Sequence, residues 1–272
     1  MAAPLRGHLA KRDKASDLKT LNFALTLEHL ESEFYAQGLH KFDADAFKHA
    51  HLDGKIRDRF VHIGAHESTH VTVLTSIIES MGGTPVPKCT YKFPLDNVET
   101  FAAVARALEN TGVSAYLGAA AGITSKDLLT AAASIATVEG RQSSFLNEIF
   151  GEEGAPYAFD TPLNAREVVT LAINFIESCP FDLGVAPFKQ LTASIKGDKV
   201  ETSYKDEVVD RQTWCQFLYN NKVVVSVREE CKLPETVDGY VYVVITDTSK
   251  PITLKDEDSI LAGPALLFRG DH

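Results

Sequence analysis

Hydrophobic residues recur at alternating four- and three-residue steps along most of the first two thirds of this 272-residue chain. That spacing is typical of helices that turn one apolar face toward a shared core. The pattern predicts a four-helix bundle with an added fifth helix over residues 17–180, preceded by a polar and flexible segment at 1–16. The predicted helices cover about 17–38, 55–81, 97–122, 126–150 and 164–178.

The pattern changes after Pro187, where apolar residues alternate with polar ones or form short β-branched runs. Such runs at a spacing of roughly ten residues predict antiparallel strands. Asn220-Asn221 between two of these runs predicts a hairpin turn. We therefore expect a small antiparallel β-sandwich at 187–272, and an α+β multidomain fold for the chain. The predicted strands are 189–195, 200–204, 213–219, 222–227, 240–246 and 260–268.

Two of the predicted helices carry a polar pair inside their apolar seam. Glu67 and His70 lie in the second helix, and Glu139 and Gln142 occupy the same place in the fourth. A glutamate in such a seam loses its hydration, which costs several kcal/mol unless another group compensates it. The need for compensation is the strongest indication of function in the sequence.

The first and third helices each add one inward glutamate. Glu28 is followed seven residues later by Tyr35, and Glu109 is followed at the same distance by Tyr116. Seven residues are two helical turns, so each pair shares one face. Residues 18–80 and 98–150 therefore resemble two copies of one helical hairpin, related by their motifs alone.

Four glutamates in one core raise each other's pKa values, and two divalent cations would balance their charge. One glutamate from each of two helices with Glu-x-x-His from the others is the dinuclear carboxylate site of ferritin-like bundles. We expect Glu67 and Glu139 to bridge the metals, Glu28 and Glu109 to be terminal ligands, and His70 to donate nitrogen. Carboxylates and an imidazole suit iron or manganese, with zinc as an alternative. The other interpretation is that some of these acids face solvent.

Several segments resemble the ferritin-like domain proteins of fungi, a family usually described as stress- or desiccation-related. The resemblance rests on LNFALTLEHLESEFYAQGL (21–39), HIGAHESTHVTVL (62–74), ALENTGVSAYLGAA (107–120) and ASIATVEGRQSSFL (133–146). It extends to TPVPKCTYKFP (84–94), AFDTPL (158–163), FIESCP (175–180) and LAGPALLF (261–268). It implies the ferritin-like fold over nearly the whole chain, and it implies no particular activity because most members have no assigned reaction.

One ligand position departs from the pattern of these proteins. The fourth helix often carries Glu-x-x-His in them, and here Gln142 replaces the histidine, as in the ferroxidase centre of true ferritins. We expect an asymmetric site that holds the second metal more loosely. Glu31, one turn past Glu28, either compensates as an additional ligand or lies at the rim of the bundle. Tyr35 and Tyr116 are the candidate catalytic residues, as hydrogen-bond donors or radical carriers, and packing alone is the other explanation.

The leading hypothesis is a dinuclear iron or manganese protein with an oxidoreductase-type reaction toward oxygen or peroxide in a stress response. Oxidase, ferroxidase and peroxide-scavenging activities remain open, and the small-molecule partner would be oxygen, peroxide or a metal ion. The alternative is a non-enzymatic structural or assembly protein whose bundle is metal-stabilised or metal-free. A homo-oligomer is compatible with both, and the additional β domain argues against a closed storage shell.

Charge and cysteine content restrict the partners and the cellular location that we expect for the protein. A net charge of −10 argues against nucleic acid and anionic membrane surfaces as partners, and no apolar run reaches the length of a membrane span. Four cysteines allow three disulfide pairings, of which 89–179 with 215–231 fits their placement best; four free thiols in a cytosolic protein are the alternative. The N-terminus lacks the apolar core of a signal peptide, and removal of a leader stays open. We expect a secreted or cell-surface location over a cytoplasmic one.

Overall fold

The computed structural model describes the backbone of residues 5–52, 54–207 and 211–270, and the side chains from residue 14 onward within these ranges. Five helices lie in the stretches that the hydrophobic pattern predicted, and a short helix is added in the first connection. The fifth was predicted to reach residue 178 but ends at Ala172, because Ile176–Ser178 instead pairs as a strand with Thr90–Tyr91. None of the described helices is long and apolar enough to span a membrane. The helices are α1 Leu5–Lys41, α2 Ala44–His49, α3 Gly54–Ser80, α4 Val98–Ala120, α5 Lys126–Ile149 and α6 Ala165–Ala172.

Helix α1 begins well before its predicted start at residue 17. The segment expected to be flexible is helical from Leu5, and residues 1–4 lie outside the described residues. The segment is polar, but it is rich in alanine, leucine, lysine and arginine, which are strong helix formers. Asp17 consequently lies inside α1, where its buried carboxylate accepts hydrogen bonds from the backbone N–H groups of Thr124 and Ser125 at 2.8 and 3.2 Å. These bonds fix the loop that leads into α5.

The chain divides into two compact units. The first contains residues up to Gly112, with Ala119–Gln142 and Phe175–Leu183. The second gathers Val113–Gly118, Ser143–Asn174 and the chain from Gly184 onward. Helices α4 and α5 thus contribute residues to both units, and the predicted division of the chain at 180 and 187 stays a prediction.

The first unit is a helical bundle with an aromatic core. Phe60 and Phe101 lie with their ring centroids 5.3 Å apart, and the ring of Tyr35 is 6.2 and 6.1 Å from them. The connection from α3 to α4 contains strand β1, Thr90–Tyr91, which pairs with β2, Ile176–Ser178. The Cys89–Cys179 disulfide joins the same two segments, as the placement of the cysteines predicted.

The second unit contains a small antiparallel β domain, which confirms the fold class predicted from the sequence. One sheet has two strands, and the other has four in the order β6-β5-β7-β8. Both sheets contribute to one apolar core that includes the Cys215–Cys231 disulfide, the other predicted pair. Asn220 and Asn221 have φ values of 49° and 52°, as the predicted hairpin turn requires. The strands are β3 Leu191–Lys196, β4 Lys199–Tyr204, β5 Trp214–Tyr219, β6 Lys222–Val227, β7 Gly239–Thr246 and β8 Ile260–Arg269.

Candidate metal centre

The four glutamates of the predicted site are all buried in the helical unit. Glu28 is on α1, Glu67 on α3, Glu109 on α4 and Glu139 on α5, and the last three are 0 % exposed. They are buried because each occupies the apolar seam of its helix, a position that turns with the core-facing residues around it. The helical phase read from the sequence is therefore confirmed for both polar pairs.

A compact cluster forms where these seams meet. One ligand atom from each of Glu28, Glu67, His70 and Glu139 lies within 4.8 Å of the other three. The Nδ1 atom of His70 is 3.1 Å from Glu28 Oε2 and 3.0 Å from Glu67 Oε2. Carboxylate oxygens and one imidazole nitrogen at this spacing form a donor set that a divalent iron, manganese or zinc ion uses.

Several acceptors in the cluster have no hydrogen-bond partner among the described residues. They are both carboxyl oxygens of Glu139, Glu109 Oε2 and Gln142 Oε1, all with essentially no solvent exposure. An unsatisfied buried polar group costs about 1–3 kcal/mol, and natural proteins rarely keep several of them together. Oxygens with unused lone pairs in one buried cluster fit a cation, which would accept them as ligands.

The electrostatics of the cluster agree with this fit. Burial raises the pKa values of Glu31, Glu109 and Glu139 well above the ordinary value for glutamic acid, and the neighbouring carboxylates raise them further. Burial opposes protonation of His70, but its hydrogen bonds to Glu28 and Glu67 outweigh that effect and raise its pKa to about 10. The imidazolium therefore supplies one positive charge to this group of carboxylates.

Tyr35 is part of this cluster through Glu109. Its hydroxyl donates a 2.6 Å hydrogen bond to Glu109 Oε1, and the tyrosine side chain is fully buried. Burial and the adjacent Glu109 carboxylate raise the pKa of Tyr35 well above its ordinary value, so the phenol keeps its proton. Tyr116 is half-buried on α4, and a catalytic role for either tyrosine stays a prediction.

Gln142 is buried and orients a carboxylate. Its Nε2 donates to Glu67 Oε1 at 2.8 Å, which leaves Glu67 Oε2 on the side of His70. The same Nε2 is 3.4 Å from Nδ1 of His66, a residue whose side chain is exposed. His66 therefore contacts the Gln142 amide while its own side chain is exposed.

Glu31 lies inside the bundle and not at its rim, since it is only 4 % exposed. Its Oε1 approaches the backbone of α4 at Gly112, next to a carboxyl oxygen of Glu139. The sequence placed Gly112 in the seam of its helix without giving it a role at the site. A glycine in an otherwise side-chain-bearing seam was the available signal. The ligand roles of Glu28, Glu31, Glu67, His70, Glu109, Glu139 and Gln142 stay predictions.

A family model matches the helical part of the chain. Residues 16–152, half of the chain, match the family described as "Ferritin-like domain". The chain is 27% identical over 165 residues to Protein rds1 of Schizosaccharomyces pombe, a match that covers 60% of this chain and 40% of that protein. The crystal structure of a conserved hypothetical protein, rv2844, from Mycobacterium tuberculosis aligns at a TM-score of 0.45 and 16% identity, over 54% of this chain and 99% of that one.

The family match covers α3 and α4 completely, and it includes every glutamate of the cluster. The yeast relative agrees with the fungal resemblance read from the sequence motifs. A helical region of this family with a buried carboxylate and histidine cluster is compatible with a dinuclear metal site. The chain belongs to the ferritin-like domain family.

Proposed function

We propose that the helical unit holds two divalent metal ions, iron or manganese, and uses them in an oxidoreductase-type reaction with oxygen or peroxide during stress. The observation that carries the proposal is the group of buried acceptors without partners in the described part of the chain, above all the two oxygens of Glu139. A protein that needed only a stable bundle would gain from apolar side chains at these positions. The bound metals would supply the electron transfer to oxygen or peroxide.

Hydrogen bonds from neighbouring side chains orient two of the proposed ligand carboxylates. The Tyr35 hydroxyl donates to Glu109 Oε1 and leaves Oε2 to a cation, and the Gln142 amide donates to Glu67 Oε1 and leaves Oε2 on the side of His70. Glu109 and Glu67 are therefore oriented before a cation binds. Burial of the whole group excludes bulk water, which strengthens every charge interaction inside it.

Metal content and stoichiometry test this proposal directly. We expect protein purified without chelators, or metal-free protein titrated with Fe²⁺ or Mn²⁺, to bind two ions per chain. Glu67→Ala and Glu139→Ala should lose both ions because each carboxylate is proposed to bridge them. Glu79→Ala is the matched control, since Glu79 is exposed on α3 and should leave the stoichiometry at two.

The outcomes separate the competing explanations. Two ions in Glu67→Ala would show that the bridging assignment is wrong. A wild-type protein that binds no metal would support the alternative of a non-enzymatic structural protein. If two ions bind, changes in their optical or paramagnetic resonance spectra on addition of oxygen or peroxide test the reaction itself.

A location in an oxidising compartment fits the same proposal. Both cysteine pairs are in disulfide contact, and structural disulfides persist mainly in secreted and surface proteins. We propose a secreted or cell-surface protein on this ground.

A further inference from the structure

Gly112 lies in the seam of α4, three residues after Glu109, at the point where two carboxylates from other helices approach the backbone. A methyl group on Gly112 would place its carbon 2.2 Å from Glu139 Oε2 and 3.1 Å from Glu31 Oε1. The first distance is far below van der Waals contact. No residue other than glycine fits here without displacing the Glu139 carboxylate.

The need for glycine at this position is one of space and not of backbone conformation. Gly112 lies within the regular helix α4 and does not have a positive φ. Glycine in a helix interior is less stable than alanine because it loses more backbone freedom on folding. Glycine therefore stands here against the local preference of the helix, and the Glu139 carboxylate occupies the space that a side chain would fill.

The two helical hairpins differ at this position in a complementary way. Glu28, Glu31 and Tyr35 of α1 have the same spacing as Glu109, Gly112 and Tyr116 of α4. The first hairpin thus has a carboxylate, Glu31, at the position where the second has a glycine. Glu31 Oε1 lies 3.1 Å from where a Cβ atom of Gly112 would be. The second hairpin is also the one that has Gln142 in place of the histidine.

We infer that Gly112 is a positioning residue: its lack of a side chain lets the Glu139 carboxylate lie against α4 beside Glu31, so that the two acids form an all-oxygen position for a hard divalent cation. The inference rests on the proposed function and adds Glu31 and Gly112 to the cluster that contains His70. Both carboxylates are buried, and neither forms an ion pair with lysine, arginine or histidine among the described residues. Oxygen-only donors suit Mn²⁺ and Fe²⁺ better than softer ions.

The first test compares two glycine substitutions in the full chain, with Mn²⁺ as the probe. Gly112→Ala should displace Glu139 and weaken the second Mn²⁺ at least about tenfold, the usual size of an effect on ligand orientation. Gly140→Ala is the matched control, because a methyl group on this residue next to Glu139 meets nothing within 4 Å. It should bind both ions as the wild type does. Free Mn²⁺ is measured by paramagnetic resonance, and circular dichroism verifies the fold.

A second pair of variants keeps the test decisive if Gly112→Ala fails to fold. Glu31→Gln preserves shape and removes the charge, and it should lose the second Mn²⁺ while the ion at Glu28, Glu67 and His70 remains. Glu79→Gln, an exposed change on α3, should have no effect. Two ions of wild-type affinity in either Gly112→Ala or Glu31→Gln would overturn this inference alone. A wild-type protein without bound Mn²⁺ would overturn the proposed function with it.

Discussion

Replacing Glu139 by methionine should make the metal-free protein more stable and the metal-loaded protein less stable than the wild type. Glu139 is 0 % exposed, and both of its carboxyl oxygens lack a partner among the described residues. Methionine has a similar length and no oxygen to satisfy. Removal of the unsatisfied group should raise the free energy of unfolding by about 1–3 kcal/mol in the absence of metal.

With metal bound, the wild type should become the more stable of the two proteins. A ligand that binds only the folded state at 100 times its dissociation constant stabilises it by about 2.7 kcal/mol. The wild type should gain about that amount from each of the two proposed Mn²⁺ ions, about 5 kcal/mol in all, which exceeds the advantage of about 1–3 kcal/mol of the metal-free variant. Glu139→Met should gain little because a proposed bridging ligand is missing. The order of stability should reverse in this way only if Glu139 is needed for metal binding and not for packing.

Urea unfolding with EDTA and with Mn²⁺ measures both effects. Glu79→Met is the control for the substitution itself, since an exposed site should change the free energy of unfolding by less than about 0.5 kcal/mol in either condition. A metal-free Glu139→Met protein less stable than the wild type would refute the reasoning. It would mean that the Glu139 carboxyl group stabilises the fold by itself.

Three further predictions concern the rest of the fold. Tyr35→Phe should lower the free energy of unfolding of the metal-free protein by about 1–3 kcal/mol in urea, because Glu109 Oε1 then loses its donor; no loss would contradict the buried hydrogen bond. Burial raises the pKa of Glu167, on α6, from 4.5 to about 7. The folded protein therefore holds the proton of Glu167 more tightly than the unfolded chain, and the stability that this provides is complete below pH 4.5 and is lost as pH rises through 7. Glu167→Gln should therefore reduce the fall in urea stability over that range, by up to about 3 kcal/mol, and an unchanged pH profile would contradict the shift. Replacing both cysteines of the 89–179 pair by alanine should lower the free energy of unfolding by about 4.5 kcal/mol, and replacing those of the 215–231 pair should lower it by about 3 kcal/mol. The difference is expected because the two disulfides close loops of 90 and 16 residues. The reverse order in urea unfolding would contradict the loop-entropy argument.

The seams of the bundle helices were predictable because helical period and burial are linked. Ile63, Glu67 and His70 are spaced so that they face one side, and all three are buried. The strands after Pro187 were predictable for two reasons. Strands β3 and β4 alternate between more buried and more exposed positions, and β5 and β7 are rich in β-branched and aromatic residues and are buried along most of their length. These features depend on local geometry that the sequence states directly.

Contacts between distant residues were not predictable in this way. The burial of Asp17 was not predictable, because nothing local shows that it holds the backbone of Thr124 and Ser125. The part played by Gly112 was missed because it depends on which side chains of α1 and α5 arrive above it. Sequence periodicity gives the face of a helix, and only the assembled core gives the neighbours of that face.

The number of buried acids indicates an electrostatic role for Glu31, in addition to its position above Gly112. Glu28, Glu67, Glu109 and Glu139 would balance the two divalent ions proposed for the site, and Glu31 adds a fifth buried acid beside them. Burial and the neighbouring carboxylates raise the pKa of Glu31 well above its ordinary value, so this acid keeps its proton unless a bound cation supplies a counter-charge. Packing alone would be served better by an apolar residue at position 31. The additional acid above Gly112 is therefore better explained by the proposed cation site than by packing of the bundle.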